Sequence, residues 1–214
     1  DLHLSIRRQR KMCIRDRSHD IVQGTNCPIQ DEGNNIIAQA CYQIAKEFDI
    51  EPYDEHTGKG VLRHIIGRIG QSGWMIILVT ATEQLPHKEK WVEKLTERIP
   101  QVETIVHNVN GKRTNVILGP KNNILYGDGT ITDHIKDLQF TLSPHSFFQV
   151  NPEQTTVLYD QALEYANLKG DETVIDAYCG TGTISLFLAH KAKHVIGIET
   201  VSYTHLRAHE TVLD

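Results

Sequence analysis

The run Thr173-Val-Ile-Asp-Ala-Tyr-Cys-Gly-Thr-Gly-Thr183, continued by Ile184 to Leu188 and closed by His194-Val-Ile-Gly-Ile-Glu199, constrains the fold more than any other part of the chain. Val174, Ile175 and Ala177 read as a short buried strand, Gly180 and Gly182 as a sharp turn, Ile184 to Leu188 as a helix, and Val195 to Ile198 as a second strand. A strand, a glycine turn, a helix and a strand that ends in a carboxylate predict an open α/β sheet with a nucleotide-type site at the carboxyl ends of its strands.

Glu199 follows Gly180 by 19 residues, at the end of the second strand. A carboxylate there has two oxygens for the two hydroxyl donors of a ribose. Two features argue against a dinucleotide. Ser185 stands where G-x-G-x-x-G has its third glycine, and Asp176 sits at the strand end beside the turn, where it would repel a pyrophosphate. A phosphate-free cofactor carrying ammonium and sulfonium charge fits better, and S-adenosylmethionine is such a molecule. A dinucleotide, or a purely structural turn without a ligand, remains the alternative from these residues alone.

A longer set of motifs bears on the choice: Ser143-Pro-His-Ser-Phe-Phe-Gln-Val-Asn-Pro152, Leu62-Arg-His-Ile65, Leu85-Pro-His-Lys88, Val106-His-Asn-Val-Asn110 and Thr114-Asn-Val-Ile-Leu-Gly119. With the glycine turn, this set resembles the RNA uracil-5 methyltransferases (RumA/TrmA-type), chiefly the bacterial 23S ribosomal RNA branch, from about Ser18 to Glu199. Phe-Gln-Val-Asn-Pro is far more specific than the turn, which many methyltransferases share. The resemblance implies that Gln149, Tyr178, Thr183 and Glu199 contact S-adenosylmethionine, in a site that also contains Asp176, Gly180 and Gly182. Read singly, Gln149 could instead serve a loop backbone and Tyr178 could be core.

In the family a cysteine thiolate adds to C6 of uracil, C5 then takes the methyl group, and a base removes the C5 proton. The resemblance places that cysteine and that base far downstream of the ribose-binding carboxylate, beyond residue 214. No catalytic residue is therefore assigned in this chain, and it is expected to be a fragment without turnover. Cys179 is read as a small residue packed under the turn, not as the nucleophile. Cys27 matches the last of four cysteine ligands to a 4Fe–4S cluster in the ribosomal branch, so it is a candidate ligand in the parent protein and an ordinary thiol here.

Asp1 to Arg17 holds six of the 22 Lys+Arg residues without any period, and both this stretch and 201–214 resemble adapter-derived sequence. A basic RNA-binding arm is the other reading of the N-terminal stretch. Setting aside the seven basic and four acidic side chains of these two stretches leaves 15 basic against 23 acidic. Phosphate attraction is thus not a general property of the chain, and a local patch must supply any RNA contact. Arg63, His64 and Arg68 on a strand, with Lys112 and Arg113 at a hairpin turn, are candidates, weighed against a reading as ordinary solvated charges.

At 39% hydrophobic and 23% charged, the composition is that of a globular protein; no apolar run reaches membrane-spanning length, and no signal pattern appears. The expected state is a cytoplasmic monomer whose partner is ribosomal RNA. Cys13, Cys27, Cys41 and Cys179 include no C-x-x-C pair.

The coarse pattern predicts a helix over 31–48 with Ile36, Ile37, Ala40, Cys41 and Ile44 inward, and strands over 62–69 and 74–82. It predicts a helix over 86–98 with Trp91, Leu95 and Ile99 inward, and a hairpin of 104–109 with 115–118 about Asn110-Gly111. A helix capped by Asn151 is expected to carry Leu158, Ala162, Tyr165 and Ala166 on one face and to stop at Gly170. The expected organisation is a tail over 1–17, a central α/β domain over 18–145, the start of a Rossmann-like methyltransferase domain over 146–200, and a second tail over 201–214. Rival functions are a transfer RNA uracil-5 methyltransferase, a non-catalytic RNA-binding module, and a nicotinamide-dependent oxidoreductase.

Overall fold

Asp31 accepts a hydrogen bond from the Gly33 amide at 2.8 Å and so opens helix α1, Glu32–Glu47. The helix turns Ile37, Ala40, Cys41, Ile44 and Ala45 inward, as a 3.6-residue period requires. Ile36, expected on the same side, is exposed. The computed structural model describes residues 30–113 and 115–200, which divide into two compact units at Ile131/Thr132. Cys27 and the stretches 1–17 and 201–214 lie outside the described residues.

After α1 the first unit contains strands β1 (Leu62–Ile69) and β2 (Trp74–Thr80), helix α2 (Lys88–Arg98), and strands β3 (Val102–Val109) and β4 (Lys121–Tyr126). They form a four-stranded sheet in the order β1-β2-β3-β4, with β2 and β3 parallel and the outer pairs antiparallel. The parallel pair needs a crossover, and α2 supplies it. Ile76, Leu78 and Ile105 on the sheet meet Ile37, Cys41 and Ile44 of α1 and Trp91 and Leu95 of α2 in one core. Each such fully buried side chain contributes about 2 kcal/mol. Gly67 lets α1 approach, since a Cβ there would lie 2.2 Å from Asn34 Oδ1. Glu47 of α1 pairs with Lys94 at 2.8 Å and with Arg98 at 3.4 Å on α2.

The expected hairpin at Asn110-Gly111 does not form. β3 pairs with 121–126 instead of 115–118, starting from Val109↔Lys121, and a loop spans the interval. The physical reason is the Asn110 side chain. It is buried and its amide donates to the Val116 and Ile117 carbonyls at 2.7 and 3.0 Å, so it braces a loop in place of a two-residue turn.

A register shift at Leu62/His64 re-aims Arg63. Its guanidinium donates to the Asn110 and Lys112 carbonyls at 2.6 and 2.7 Å and lies 4.6 Å from the Tyr53 ring centre. Arg63, only 4% exposed, is a brace for this loop, neither a solvated charge nor a phosphate contact; His64 is buried as well.

The second unit holds β5 (Ile131–Ile135) from its second residue onward and β6 (Leu138–Leu142), paired with each other, then α3 (Pro152–Ala166), β7 (Thr173–Ala177), α4 (Thr183–Ala189) and β8 (His194–Ile198). β7 and β8 form a parallel two-stranded sheet in strict register, Thr173↔His194 through Ala177↔Ile198. Asn151 caps α3 by accepting from the Gln154 amide at 3.0 Å, with Pro152 at the first position. The helix stops at Asn167 in the left-handed conformation (φ 48°) and not at Gly170. Its inner face is also different from the expected one: Thr155 and Tyr159 are buried, while Leu158 and Tyr165 are 61% and 81% exposed. Thr155 can be buried because its hydroxyl donates to the Asn151 carbonyl at 2.7 Å.

Candidate functional site

The end of β7 and the start of α4 build a turn that the backbone of β8 holds in place. The amides of Tyr178 and Cys179 both donate to the Ile198 carbonyl, at 2.7 and 3.1 Å, and the Gly182 amide closes the turn on the Cys179 carbonyl at 2.8 Å. Tyr178, Gly180 and Gly182 all have positive φ, 69°, 58° and 77°. Glycine meets that demand at two of the three without a steric cost. A Cβ on Gly180 would have no atom within 4 Å, so the outer side of the turn is open.

Glu199 comes back to this turn. Its Oε2 accepts from the Gly180 amide at 3.0 Å, so the residue predicted from spacing alone stands beside the glycine predicted with it. Asp176, at the carboxyl end of β7, accepts a short hydrogen bond from the Ser185 hydroxyl of α4. Ser185 therefore does more than replace a glycine: it fixes one oxygen of the carboxylate under the turn. No separate sequence signal marks this pair, because the two residues meet only through the strand-turn-helix geometry.

Cys179 is 8% exposed and lies against Gly197, where an added Cβ would come within 2.9 Å of its sulfur. Burial, followed by the nearby carboxylates of Asp176 and Glu199, pushes its thiol pKa up. A thiol held protonated is a poor nucleophile. Tyr178 is 83% exposed beside the turn, which removes its reading as core.

The segment Ser143–Pro152 brings Gln149 to the same region. Phe148 is buried and tilts against Phe140 of β6 with ring centres 5.5 Å apart, while Phe147 faces outward. The Phe147 carbonyl accepts from the Thr181 hydroxyl at 3.2 Å, which ties this segment to the glycine turn. Gln149 follows two residues later, half-buried and with no side-chain hydrogen bond among the described residues, so it does not serve a loop backbone there. Thr183, the first residue of α4, pairs with the Tyr159 hydroxyl of α3 at 2.8 Å. Gln149, Tyr178, Thr183 and Glu199 thus occur on or beside one turn, together with Asp176, Gly180 and Gly182.

The other candidates separate. Arg63 and His64 are buried in the first unit, and Lys112 and Arg113 are exposed in the loop after β3, where Arg113 donates to the Thr57 carbonyl at 2.7 Å. Among the described residues no group of three His, Cys, Asp or Glu side chains is placed to hold a metal ion, and the described cysteines, Cys41 and Cys179, are each buried in a different unit. These residues do not fit an iron–sulfur cluster. Among them, too, no helix is long and apolar enough to cross a membrane.

Two carboxylates at the turn and no basic side chain within it suit a ribose-bearing, phosphate-free cationic ligand better than a pyrophosphate. No family model matches the chain. Over 188 residues, 87% of its length, the chain is 53% identical to a protein of Halalkalibacterium halodurans named an uncharacterized RNA methyltransferase. It is 53% identical over 86% of its length to one of Oceanobacillus iheyensis bearing the same name. The chain spans 41% of the length of each. Among solved structures it is similar to the Pyrococcus abyssi tRNA (uracil-54, C5)-methyltransferase in complex with S-adenosyl-L-homocysteine, with a TM-score of 0.73 and 24% identity over 86% of this chain and 45% of that one. This likeness shows the fold, a mixed α/β fold.

Proposed function

We propose that this chain is the cofactor-side portion of an S-adenosylmethionine-dependent RNA methyltransferase that acts on C5 of uridine. The observation that carries the reading is the Gly180–Glu199 contact at 3.0 Å in a turn that also contains Asp176. Glu199 accepts the ribose hydroxyls, Asp176 and Glu199 favour the cationic methionine end, and Tyr178 offers a ring face beside the turn. Gln149 supplies an amide and Thr183 a hydroxyl. When bound, the cofactor supplies a methyl group activated on a sulfonium. The described residues bind and orient; Cys179 is no nucleophile, and the covalent step on the base belongs to residues outside this set.

The resemblance of Phe148-Gln-Val-Asn-Pro152 and its neighbours to the ribosomal RNA branch supports 23S ribosomal RNA as the substrate. Within the parent, residues 18–145 form a central domain and 146–200 open the methyltransferase domain. Cys27 as a cluster ligand of the parent belongs to the same reading and lies outside the described residues.

Calorimetric titration of this chain with S-adenosylhomocysteine and with NADH tests the cofactor. Binding of the first and not of the second is expected; the reverse preference replaces the reading with a nicotinamide enzyme, and binding of neither sinks it for this chain. Release of tritium from uridine labelled at C5, assayed with the full-length gene product on 23S ribosomal RNA and on transfer RNA, tests the substrate. Release from transfer RNA alone overturns the ribosomal assignment.

A further inference from the structure

We propose that Tyr159 is a positioning residue for the cofactor site, and that its hydroxyl sets the donor direction of Thr183; this rests on the cofactor reading above. Tyr159 lies in the middle of α3 and is 6% exposed. Its ring meets Phe187 of α4 edge-on, with centres 5.1 Å apart and planes at 74°. A phenylalanine would make that contact equally well. The hydroxyl is the costly part, because a buried phenol requires a partner. The partner is the hydroxyl of Thr183 at 2.8 Å, on the next helix and at the edge of the glycine turn.

Among the described residues neither hydroxyl has a second partner, so the direction of this bond decides which proton remains available. A phenol is a stronger acid than an aliphatic alcohol and is the better hydrogen-bond donor. Tyr159 Oη–H therefore donates to Thr183 Oγ1. Threonine is stiff at χ1 and exchanges its hydroxyl for a methyl group when it changes rotamer. The bond from Tyr159 holds Oγ1 in one of these wells, and the Thr183 proton is left to donate to an acceptor on the cofactor. The edge-on packing on Phe187 fixes the ring that does this, so the position of α3 is transmitted to the turn through a single hydroxyl.

The test is a double-mutant cycle in the whole chain, read as the dissociation constant for S-adenosylhomocysteine together with the melting temperature. Tyr159→Phe keeps the ring contact and is expected to weaken binding about fivefold, the equivalent of one neutral hydrogen bond. Thr183→Val is expected to weaken it at least as much. The double variant should bind no more weakly than Thr183→Val alone, because the Tyr159 hydroxyl acts only through Thr183. A merely structural role for Tyr159 would lower the melting temperature of Tyr159→Phe while its dissociation constant stays at the wild-type value, and that overturns the inference. Additive losses in the double variant overturn it as well. If the wild-type chain itself fails to bind S-adenosylhomocysteine, the cofactor reading falls, and the inference with it; wild-type binding with an indifferent Tyr159→Phe removes the inference alone.

Discussion

The Gly180 amide donates to Glu199 Oε2 at 3.0 Å across the two ends of a strand-helix-strand unit. One oxygen of the carboxylate is thereby fixed by the turn that would receive the ligand, so Glu199 is oriented before any ligand arrives. Pre-oriented acceptors lose little freedom on binding.

Glu199→Ala should weaken S-adenosylhomocysteine binding by about one to two orders of magnitude, the scale of a lost hydrogen bond to a charged group. Glu199→Gln, which keeps an oxygen for the Gly180 amide, should retain the melting temperature and still lose affinity. Isothermal titration paired with thermal denaturation separates the two, and unchanged affinity in both variants would refute the clamp.

Arg63→Met should cost about 2–4 kcal/mol, because it leaves the buried Asn110 carbonyl and the Lys112 carbonyl without their donor. Urea denaturation measures the loss. The variant should leave the salt dependence of any RNA binding unchanged, since this guanidinium faces the loop and not solvent. A reduced salt slope with unchanged stability would restore Arg63 as a phosphate contact.

His107 gives the first unit a pH dependence. Thr80 donates its proton to the Thr82 carbonyl at 2.6 Å, so His107 Nε2–H donates to Thr80 Oγ1 at 2.7 Å and the neutral ring satisfies the pair. Burial holds the His107 pKa below the ordinary 6.5; Glu83 opposes this and Lys121 reinforces it. In the unfolded chain the ring takes up its proton first, so stability is full above about pH 7 and falls as pH drops through 6.5 toward the folded value. The urea midpoint should be lower at pH 5.5 than at pH 7.5, and His107→Gln should flatten that difference. A midpoint that rises on acidification would contradict the buried neutral ring.

Cys179 should react slowly with iodoacetamide at pH 8, well below the rate of an unperturbed thiol, since burial and two carboxylates keep it protonated. Cys179→Ser should keep affinity for S-adenosylhomocysteine. Rapid, selective alkylation detected by mass spectrometry would contradict the protonated, buried thiol.

The legible parts of the fold were those in which side-chain period and backbone geometry agree. α1, β1 and β2 fall at or within a few residues of their expected bounds because apolar residues there recur with the period of the element. Glu199 was legible because a strand-turn-helix-strand unit returns its second strand beside the first, whatever the side chains are. The inner face of α3 was not, because Thr155 and Tyr159 are buried through hydroxyl partners that hydropathy does not register, while Leu158 and Tyr165 face outward. Asn110-Gly111 misled for a related reason: the dipeptide suits a tight turn, but the Asn110 amide is committed to carbonyls several residues further along the loop. The Ser185–Asp176 bond could not be seen before the helix was laid on the strand.

The parallel pairing of β7 and β8 also has a kinetic meaning. A parallel ladder cannot zip from a hairpin; α4 must first be laid across, and the entropy of closing that whole crossover is lost before the strands can reward it. The Gly180–Glu199 link spans the same closure, so the carboxylate clamp is acquired only when this crossover has closed. Hydrogen exchange at the Tyr178, Cys179 and Gly180 amides therefore reports the same opening event, and a ligand seated on Glu199 slows all three together.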